Sequence, residues 1–584
     1  MFFSTYVWNS NLSSEIAKKI KIKNPETTII FGGCQVPRRD TKLFMANNPY
    51  LDIACSGEGE KVFKSILENF PEKNWENVPS ITYNSRKGKI ITNPNNGRIL
   101  DLKEIPSPYL SGVFDKIMKK NPDETWIGLW ETNRGCPFGC SYCEWGGDYY
   151  KQLIHHDLEK LVQEVDWFSK NKVEFIFCCD SNFGITERDL EISKKIANNK
   201  QKYGYPKAFS VQNTKNSTIR SYDIQKILGG AGLSKGVNLA FQSLNKNTLV
   251  AVGRKNISNE TFNQLQSKFN SEGIETFSDI ILGLPEETYE SFVDGLEVLI
   301  ENGQKNRIQI NNLSLLHNSE MGAVEYQKKY RIQFVENTLI NVHGSLGGNE
   351  IEEKQKMVTG TNTMPPEKWV EARSYGWMLS LLYFDKLLQI PFTVLRNNYD
   401  VKYKEIINYF LNSDVKTSPI ISNIGGFFRE RAKAIQTGSS EFCESKEWLN
   451  IWWPADELSI IKLFTNDQIN EFYSESKSLI KSFLNYKNIE FEEKIIDESV
   501  KLNNYLMKRP FQKENLVLNL NYNIWEFYHS DSIKKPIPLK KNESKYLINR
   551  TGEVYNSWED WCQKVIWYGN KRGAYIYPCE VLEK

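Results

Sequence analysis

The chain has 584 residues, 40% of them hydrophobic, so it can bury several cores and should form roughly three or four domains. Its 74 Lys and Arg residues nearly balance its 72 Asp and Glu residues, and a net charge of +2 gives no electrostatic footprint for nucleic acid. No apolar run is long enough to span a bilayer, and the N-terminus lacks the features of a signal peptide, which favours a cytoplasmic protein without a membrane partner.

Residues 1–75 alternate predicted strands and helices, a pattern typical of a doubly wound α/β domain with parallel strands. Apolar runs predict strands at Phe2–Trp8, Thr27–Phe31 and Leu51–Cys55. One helix is predicted from about Asn11 to Lys23 with Ile16, Ala17 and Ile20 on its buried face, and a second begins at Gly57-Glu-Gly-Glu60 and carries Val62, Phe63, Ile66, Leu67 and Phe70. Residues 76–122 are predicted as a linker with a hairpin, Ser80–Tyr83 and Lys89–Thr92 around Arg86-Lys-Gly88.

Residues 123–345 repeat a longer unit of strand, loop and helix. The predicted strands are Trp126–Thr132, Glu174–Cys179, Ala208–Gln212, Gly236–Gln242, Glu275–Leu282 and Arg307–Leu313. The predicted helices are at about 157–170, 187–203, 219–229, 258–272 and 286–302. Six such units predict a partial (β/α)6 barrel, whose chemistry should lie at the carboxyl ends of the strands.

Residues 346–584 are predicted to be mainly helical and aromatic-rich, with an unknown role. A long helix should run from Pro365 to about Gln389, followed by helices over 400–505 and by short strands and turns over 515–584. The tryptophans of this region favour a hydrophobic core, and stacking on a planar substrate is the alternative. They are Trp448, Trp452, Trp453, Trp558, Trp561 and Trp567.

Three cysteines, Cys136, Cys140 and Cys143, have the spacing C-x3-C-x2-C directly after the first predicted barrel strand. Three thiolates so close can hold three irons of a [4Fe–4S] cube and leave the fourth iron open. A structural zinc site is the alternative, but zinc would need a fourth ligand at matching spacing, and His155 is the nearest candidate. With only ten cysteines in the chain, this cluster favours reduced thiols over a disulfide framework.

The run from Glu131 to Gly147, Glu-Thr-Asn-Arg-Gly-Cys-Pro-Phe-Gly-Cys-Ser-Tyr-Cys-Glu-Trp-Gly-Gly, closely resembles the signature of radical S-adenosylmethionine (SAM) enzymes. The resemblance implies that the amino and carboxylate groups of SAM chelate the open iron. It also implies a cluster reduced by a donor such as flavodoxin or ferredoxin. An electron from that cluster would split SAM into methionine and a 5′-deoxyadenosyl radical.

Polar residues after later strands resemble further elements of the same family. Asp180 and Asn182 match a run that lies near the SAM amino group, and a turn that caps the strand is the alternative. Gln242 and Arg254 match positions that face the SAM ribose and carboxylate, since a guanidinium presents a bidentate fork. A solvated surface position is the alternative for Arg254. Gly283-Leu-Pro285 matches a turn that approaches the adenine. The catalytic side chains are unknown: His317 at the end of the sixth strand, with Asn311 and Asn312, could act in proton transfer, and a satisfied loop histidine is the equal alternative.

Three segments upstream resemble the cobalamin-binding domain and linker of cobalamin-dependent radical SAM enzymes: Gly32-Gly33, Gly57-Glu58-Gly59 and Asp101–Tyr109. The resemblance covers about residues 1–345 and implies a corrin across the carboxyl edge of a parallel sheet. We expect a shortened Rossmann-like domain, because its usual first strand and helix are missing. No histidine precedes His155, so this domain supplies no imidazole to cobalt. We expect either cobalamin without a histidine ligand or a truncated chain that binds it poorly.

The resemblance implies a cobalamin-dependent radical SAM enzyme that methylates an unactivated carbon of a small molecule or biosynthetic intermediate. A substrate radical formed by the 5′-deoxyadenosyl radical would take its methyl group from methylcobalamin. A rearrangement, cyclisation or other hydrogen abstraction without methyl transfer is the first alternative. An RNA-modifying methylthiotransferase is another, which the near-neutral charge disfavours. A cobalamin or light sensor without catalysis is the last, and the intact cysteine triad disfavours it.

Overall fold

The computed structural model describes residues 1–85, 87–145, 150–214, 219–234, 236–347, 351–532 and 536–582. Arg86 of the predicted hairpin turn, and Gly146 and Gly147 of the cysteine motif, lie outside the described residues. The mixed α/β class predicted from the sequence is confirmed: a sheet with helices is followed by a partial barrel and then by a mainly helical region.

The N-terminal region forms one five-stranded sheet. Its elements are β1 (Phe2–Ser4), α1 (Ser10–Lys23), β2 (Ile30–Gly32), α2 (Thr41–Asn47), β3 (Ile53–Cys55), α3 (Gly59–Asn69), β4 (Ile81–Asn84) and β5 (Ile90–Thr92). The strands follow the order β1-β2-β3-β4-β5, with the first three parallel and β4 antiparallel to β3. The hairpin predicted within the linker therefore extends the N-terminal sheet, which is mixed rather than purely parallel.

The helices of this sheet bury narrower faces than their sequences predict. In α1, Ala17 is fully buried, whereas Ile16 is 42% exposed. In α3, Val62 and Ile66 are buried, whereas Leu67 is 55% exposed, and Phe63 and Phe70 are exposed as well. Because each of the first three strands has only three residues, the sheet covers only part of an apolar stripe.

The beginning of the chain departs from its predicted strand and is fastened to a distant segment. The strand predicted over Phe2–Trp8 ends at Ser4, and the exposed Trp8 ring stacks on Tyr6 with centroids 4.6 Å apart. The first turn of α1 is capped from far along the chain. The backbone N–H groups of Asn11 and Leu12 donate to the Glu353 carboxylate at 2.8 and 3.0 Å.

All six predicted barrel strands and the five predicted helices between them are present. The elements of this region are α4 (Asp115–Lys120), β6 (Ile127–Trp130), β7 (Asn133–Arg134), β8 (Ile154–His155), α5 (Leu158–Lys170), β9 (Phe175–Cys178), α6 (Arg188–Tyr203), β10 (Ala208–Ser210), α7 (Ile219–Gly230), β11 (Val237–Asn238), α8 (Lys246–Ala251), α9 (Asn259–Ser271), β12 (Thr276–Leu282), α10 (Tyr289–Glu301) and β13 (Ile308–Asn312). Parallel pairing joins the six predicted strands into two half-sheets, β6-β9-β10 and β11-β12-β13.

Side chains alternate between the helices and the inside of the barrel along each strand. A Cβ on Gly128 would lie 3.0 Å from the Phe168 ring of α5, so Gly128 faces the helices. Its neighbours Ile127 and Leu129 face the opposite side and are 61% and 66% exposed. The inner face of the barrel is therefore open and apolar along β6.

The C-terminal region contains more strand than its sequence predicts. Its elements are α11 (Val324–Lys329), β14 (Gln333–Thr338), β15 (Lys354–Gly360), α12 (Pro366–Leu379), α13 (Gln389–Tyr399), α14 (Tyr403–Leu411), α15 (Pro419–Gln436), β16 (Cys443–Ser445), β17 (Ile451–Trp453), α16 (Ala455–Thr465), α17 (Ile469–Tyr486), α18 (Glu493–Leu506), β18 (Leu516–Tyr522), α19 (Ile524–Ser532), β19 (Lys541–Ile548), α20 (Trp558–Trp561) and β20 (Cys579–Leu582). Strands β18, β19 and β20 form an antiparallel sheet. The single helix predicted over Pro365–Gln389 is instead α12, a π-helical turn at Ser380–Phe384, and α13.

One large hydrophobic core joins the second half-sheet of the barrel to the C-terminal helices. It contains Ile308 of β13, Trp369 of α12 and Trp453 of β17, all fully buried. Trp448 and Trp561 are buried there too, as the sequence predicts, whereas Trp452, Trp558 and Trp567 are only partly buried.

No single helix among the described residues combines the length and the apolar composition needed to cross a bilayer. The bent pair Pro366–Phe384 and Gln389–Tyr399, at 93°, has the needed length and composition only when its two helices are taken together.

Candidate functional site

The three clustered cysteines lie on one loop at the carboxyl end of β6. Cys136 and Cys140 are 1% and 3% exposed, Cys143 is partly buried, and among the described residues none of the three is in a disulfide. The short antiparallel pair β7 and β8 folds the loop back on itself. The Cys136 amide then donates to the Tyr150 carbonyl oxygen at 2.9 Å, so the thiols are held on an ordered backbone.

Glycines allow this loop to pack closely against its neighbours. Gly135 has φ +112°, and a Cβ there would collide with carbonyl oxygens of the returning segment. Gly253 has φ +64°, and a Cβ there would lie 2.7 Å from the Gly139 carbonyl oxygen. The Ser141 amide donates to the Val252 carbonyl oxygen at 2.9 Å, so the cysteine loop rests on the segment that follows α8.

Asp180 lies two residues after β9 but is fully buried rather than open at the barrel mouth. Its carboxylate accepts from the backbone N–H groups of Thr132 at 2.7 Å and Asn133 at 3.2 Å, and from both of their side chains. Burial raises its pKa to about 6, although these hydrogen bonds oppose the rise. Asp180 thus anchors the entry to the cysteine loop, and both of its oxygens have partners within the chain.

Asn182 touches a cluster cysteine directly. It is fully buried, and its side-chain amide donates to the Cys136 Sγ at 3.1 Å and to the Ser181 hydroxyl at 3.0 Å. A hydrogen bond to a thiolate sulfur stabilises its negative charge, and such bonds are among the factors that set the reduction potential of an iron–sulfur cluster.

Replacing Asn182 with Leu should therefore make the cluster harder to reduce. Removing a donor to a ligand sulfur destabilises the reduced, more negative form, so we expect a potential lower by tens of millivolts. An anaerobic redox titration followed by electron paramagnetic resonance measures this shift. Ser181→Ala is the control, because that hydroxyl donates to the Gly135 carbonyl oxygen at 2.7 Å and not to sulfur. Equal potentials in the two variants would contradict a role for the amide.

Gln242 and Arg254 lie at the carboxyl end of the second half-sheet. Gln242 has φ +69° where its strand ends, and its backbone still bonds to Asp279 and Ile281 of β12. Arg254 is only 4% exposed, so the alternative of a solvated surface residue is wrong. Its guanidinium donates to Asn256 at 2.7 Å, to the Tyr142 hydroxyl at 3.2 Å and to the Ala240 carbonyl oxygen. The contact with Tyr142 brings Arg254 beside the cysteine loop.

The glycines of the N-terminal sheet lie at the carboxyl ends of β2 and β3. Gly33 has φ +98°, and a Cβ there would be 2.5 Å from the Thr5 carbonyl oxygen, whereas Gly32 leaves more room. Gly57 has φ +83°, and Gly59 begins α3 in open space. These backbones present a low rim, on which a flat ligand can approach the sheet edge.

The side chain of Glu58, predicted as a cofactor contact with these glycines, instead bonds to other residues of the chain. It is 8% exposed and accepts from the Ile99 amide at 2.5 Å and from Arg98 at 3.4 Å. The carboxylate therefore fastens the segment that leads from the sheet to the barrel, and only its backbone remains at the rim.

Replacing Gly33 with Val should unfold this rim locally. A side chain there must enter the space of Thr5 at a left-handed φ, which we expect to cost about 2 to 4 kcal/mol. Hydrogen exchange at β1 and β2 measures the effect. Gly59→Ala is the comparison, because its added Cβ meets nothing within 4 Å and should leave exchange unchanged. Normal protection in Gly33→Val would show that the close approach is not required.

The sheet edge and the cysteine loop are joined by Asn318, which follows β13. Its amide donates to the carbonyl oxygens of Cys34 at 2.8 Å and Val36 at 3.1 Å, and its oxygen accepts from the Arg38 amide at 2.8 Å. Its own backbone N–H donates to the carboxylate of Glu144 at 3.0 Å, and Glu144 follows the third cysteine. We call this set the Asn318 contact.

A second set of contacts joins the other end of the same loop to the sheet. Arg134, two residues before Cys136, pairs with Glu60 of α3 at 2.8 Å and with Glu131 at 2.9 Å. Burial would raise the pKa of Glu131, but hydrogen bonds from His156 and Arg134 hold it below its usual value. Residues at the carboxyl edge of the sheet therefore contact both ends of the cysteine loop.

The zinc alternative finds no support at His155. That side chain is exposed, and its pKa is lowered by partial burial and by Arg188, to which it is close. Within the described ranges, no three or more His, Cys, Asp or Glu side chains are grouped to hold one metal ion. In a cube each of three thiolates binds a separate iron, whereas a structural zinc site needs four ligands around one ion.

Asn318, Glu144 and Arg134 are site residues that the sequence did not reveal. Asn318 lies 280 positions after Arg38, to which its side chain bonds. Neither residue type nor sequence spacing predicts a contact between residues so far apart. For Arg134 and Glu144, their positions beside the cysteines in the sequence were the one indication of a role at the site.

Comparisons with known proteins agree with this geometry. The model of the radical SAM superfamily matches residues 130–299. The chain is 34% identical over 405 residues to the cobalamin-dependent radical SAM methyltransferase TokK of Streptomyces tokunonensis, and 34% identical over 404 residues to the 2-(S-pantetheinyl)-carbapenam-3-carboxylate methyltransferase of Streptantibioticus cattleyicolor. Each match covers 68% of this chain and 59% of the relative, so the chain spans about three-fifths of their length.

A solved structure also matches part of the chain. The radical SAM methyltransferase TsrM from Kitasatospora setae, with tryptophan and a SAM analogue bound, gives a TM-score of 0.47 at 15% identity and covers 63% of this chain and 74% of that protein. The sequence matches confirm the resemblance to cobalamin-dependent radical SAM enzymes that the motifs predicted.

Proposed function

We propose that this chain, whose residues 130–299 match the model of the radical SAM superfamily, binds a [4Fe–4S] cluster through Cys136, Cys140 and Cys143 and cleaves SAM reductively at the open iron. The observation that carries this proposal is the ordered, buried loop, on which Asn182 already donates to the Cys136 sulfur at 3.1 Å. Thiolate ligands with an amide donor suit a cluster that must accept an electron.

We also propose that cobalamin lies on the rim formed by Gly32, Gly33 and Gly57 and that the enzyme transfers a methyl group to an unactivated carbon. An added Cβ on Gly59 at the carboxyl edge would meet nothing within 4 Å, which leaves room for a flat ligand, and both curated relatives are named as methyltransferases. When bound, the cluster with SAM supplies a radical that abstracts hydrogen, and cobalamin supplies the methyl group.

The residues of the chain have positioning roles in this scheme. Asp180 holds the backbone that enters the cysteine loop, and Arg254 is the group proposed to pair with the SAM carboxylate, by exchanging one of its present partners. The Asn318 contact and Arg134 fix the sheet edge against the cysteine loop. Within the loop, Cys136 and Cys140 are shielded from water at 1% and 3% exposure.

Product analysis tests the proposal and separates it from radical chemistry without methyl transfer. Methyl transfer should consume two SAM molecules for each product, one giving 5′-deoxyadenosine with methionine and one giving S-adenosylhomocysteine. A rearrangement would give 5′-deoxyadenosine alone. Reconstituted protein with four irons that forms neither product with dithionite would overturn the assignment.

The substrate is proposed to be a small-molecule biosynthetic intermediate, since one relative is named for a carbapenam carboxylate. Division of the chain at residues 75, 122 and 345, an electron donor of the flavodoxin or ferredoxin type, a cytoplasmic location, and the absence of membrane or nucleic-acid partners stay predictions.

A further inference from the structure

A cavity of about 1050 Å³ lies beside β13, the last barrel strand, and is closed by the C-terminal region. Ile308 belongs to the hydrophobic core on the helix side of the strand, so Gln309 and Asn311, which line the cavity, face the inside of the barrel. The other walls come from α12, the start of α16 and residues 552–574. Ile310 lines the cavity as well, so the cavity lies between the C-terminal region and β13, the edge strand of the second half-sheet, and its volume suits a small molecule.

Most charges in this cavity neutralise one another. Arg307 pairs with Asp456 at 2.7 Å and with Asp385 at 3.0 Å. His343 pairs with Glu457 at 2.6 Å, and Lys508 pairs with Glu553 at 2.5 Å. Such internal pairs leave little net attraction for a ligand. A charged group whose partners are incomplete is therefore informative.

Arg373 of α12 is that group. It is 6% exposed, its guanidinium lies 4.3 Å from the Trp377 ring, and one nitrogen donates to the Ile310 carbonyl oxygen at 2.7 Å. Its closest carboxylate, Glu441, is 3.7 Å away, and in the described part of the chain its Nε has no hydrogen-bond partner. Burial lowers its pKa, but a guanidinium remains charged at neutral pH, so an open donor here carries a desolvation penalty.

We propose that this cavity binds the substrate and that Arg373 receives its carboxylate; the inference rests on the proposed function. A carboxylate is planar and singly charged, so it completes the guanidinium fork. A phosphate dianion would meet Glu441, Asp456 and Glu457, which line the same cavity. Asp456 is fully buried and its Oδ1 has no hydrogen-bond partner among the described residues, so the same ligand should carry an N–H or O–H donor nearby.

Binding of matched acid and amide pairs to the reconstituted holoenzyme with SAM tests this inference. The first pair is 2-(S-pantetheinyl)-carbapenam-3-carboxylate and its carboxamide, and simpler pairs are N-acylated amino acids and their amides. The variants are Arg373→Gln and Arg373→Lys. Lys368→Gln is the matched control, because Lys368 lies on the same helix, is 44% exposed and pairs with Glu371 at 2.7 Å.

We expect the wild type and Lys368→Gln to bind at least one acid on the order of 10- to 100-fold more tightly than its amide, the usual effect of a charged hydrogen bond. Arg373→Gln should bind both members of that pair equally, and Arg373→Lys should lose most of the preference because it lacks the fork. Should Arg373→Gln fail to fold, Arg373→Lys decides the result.

The inference is overturned if the wild type prefers no acid in the set, or if the folded Arg373 variants keep the full preference. Formation of 5′-deoxyadenosine without substrate is measured on the same samples. Its absence from wild-type protein with four irons would remove the proposed function, whereas the binding result would still stand or fall by itself.

Discussion

Replacing Cys140 with Ala should abolish both the cluster and reductive cleavage of SAM. Cys140 is 3% exposed on the ordered loop, and two remaining thiolates cannot hold a cube that leaves only one iron open. Iron should fall from about four per chain to nearly none, and 5′-deoxyadenosine should fall below detection. Iron analysis, absorption spectra and product analysis after anaerobic reconstitution measure these losses.

Cys443→Ala is the matched control for this experiment. Cys443 is a buried free cysteine of β16, far along the chain from the loop, so its loss should leave iron content and SAM cleavage unchanged. Full iron content in Cys140→Ala would show that this thiol is not a ligand. Stoichiometric zinc in wild-type protein prepared anaerobically would instead favour the zinc alternative.

Replacing Asn318 with Ala should separate the two uses of SAM. The change removes the three hydrogen bonds between the Asn318 side chain and the segment from Cys34 to Arg38, two donated and one accepted by that side chain. We expect this loss to weaken the Asn318 contact by about 2 to 4 kcal/mol. The cluster loop keeps its other supports, so reductive cleavage should stay within about threefold. Methyl transfer from SAM to reduced cobalamin should fall at least about tenfold, because a small misplacement is costly for group transfer.

Two measurements distinguish this effect from general loss of structure. The S-adenosylhomocysteine released with reduced cobalamin present reports methyl transfer from SAM. The 5′-deoxyadenosine reports reductive cleavage of SAM. Asn302→Ala is the control, since Asn302 caps the end of α10 with a bond to the Val298 carbonyl oxygen. A proportional loss of both products in Asn318→Ala, or no loss of either, would contradict the positioning role.

Helices α5 and α6 of the barrel were predictable because both carry apolar residues at helical period. The helix predicted at 157–170 is α5, Leu158–Lys170, and that predicted at 187–203 is α6, Arg188–Tyr203. The strand predicted over Gly236–Gln242 was less accurate, since a regular strand covers only Val237–Asn238. The left-handed φ of Gln242 is a backbone state that composition does not signal.

The parts of the site whose residues are close in sequence were predictable, because their chemistry requires a particular spacing. The parts that form only when distant segments pack together were not predictable. Cys136, Cys140 and Cys143 are near in sequence, so their spacing alone indicated a cluster loop. Asp180 and Glu58 were placed near the site, but their buried hydrogen bonds to Thr132 and Ile99 followed only from the packed chain. The burial of Arg254 and of Arg373 likewise arises from segments that meet only after folding.

The distant cap on α1 has a consequence for the order of events during synthesis. The N–H groups of Asn11 and Leu12 need the carboxylate of Glu353, which the ribosome adds 341 residues after Leu12. At ordinary rates of translation this interval lasts roughly 20 to 70 s. Helix α1 therefore acquires this partner only after residue 353 has been made. A nascent chain halted before residue 353 should leave its N-terminal segment open to proteases or chaperones, whereas release of the whole chain should close it.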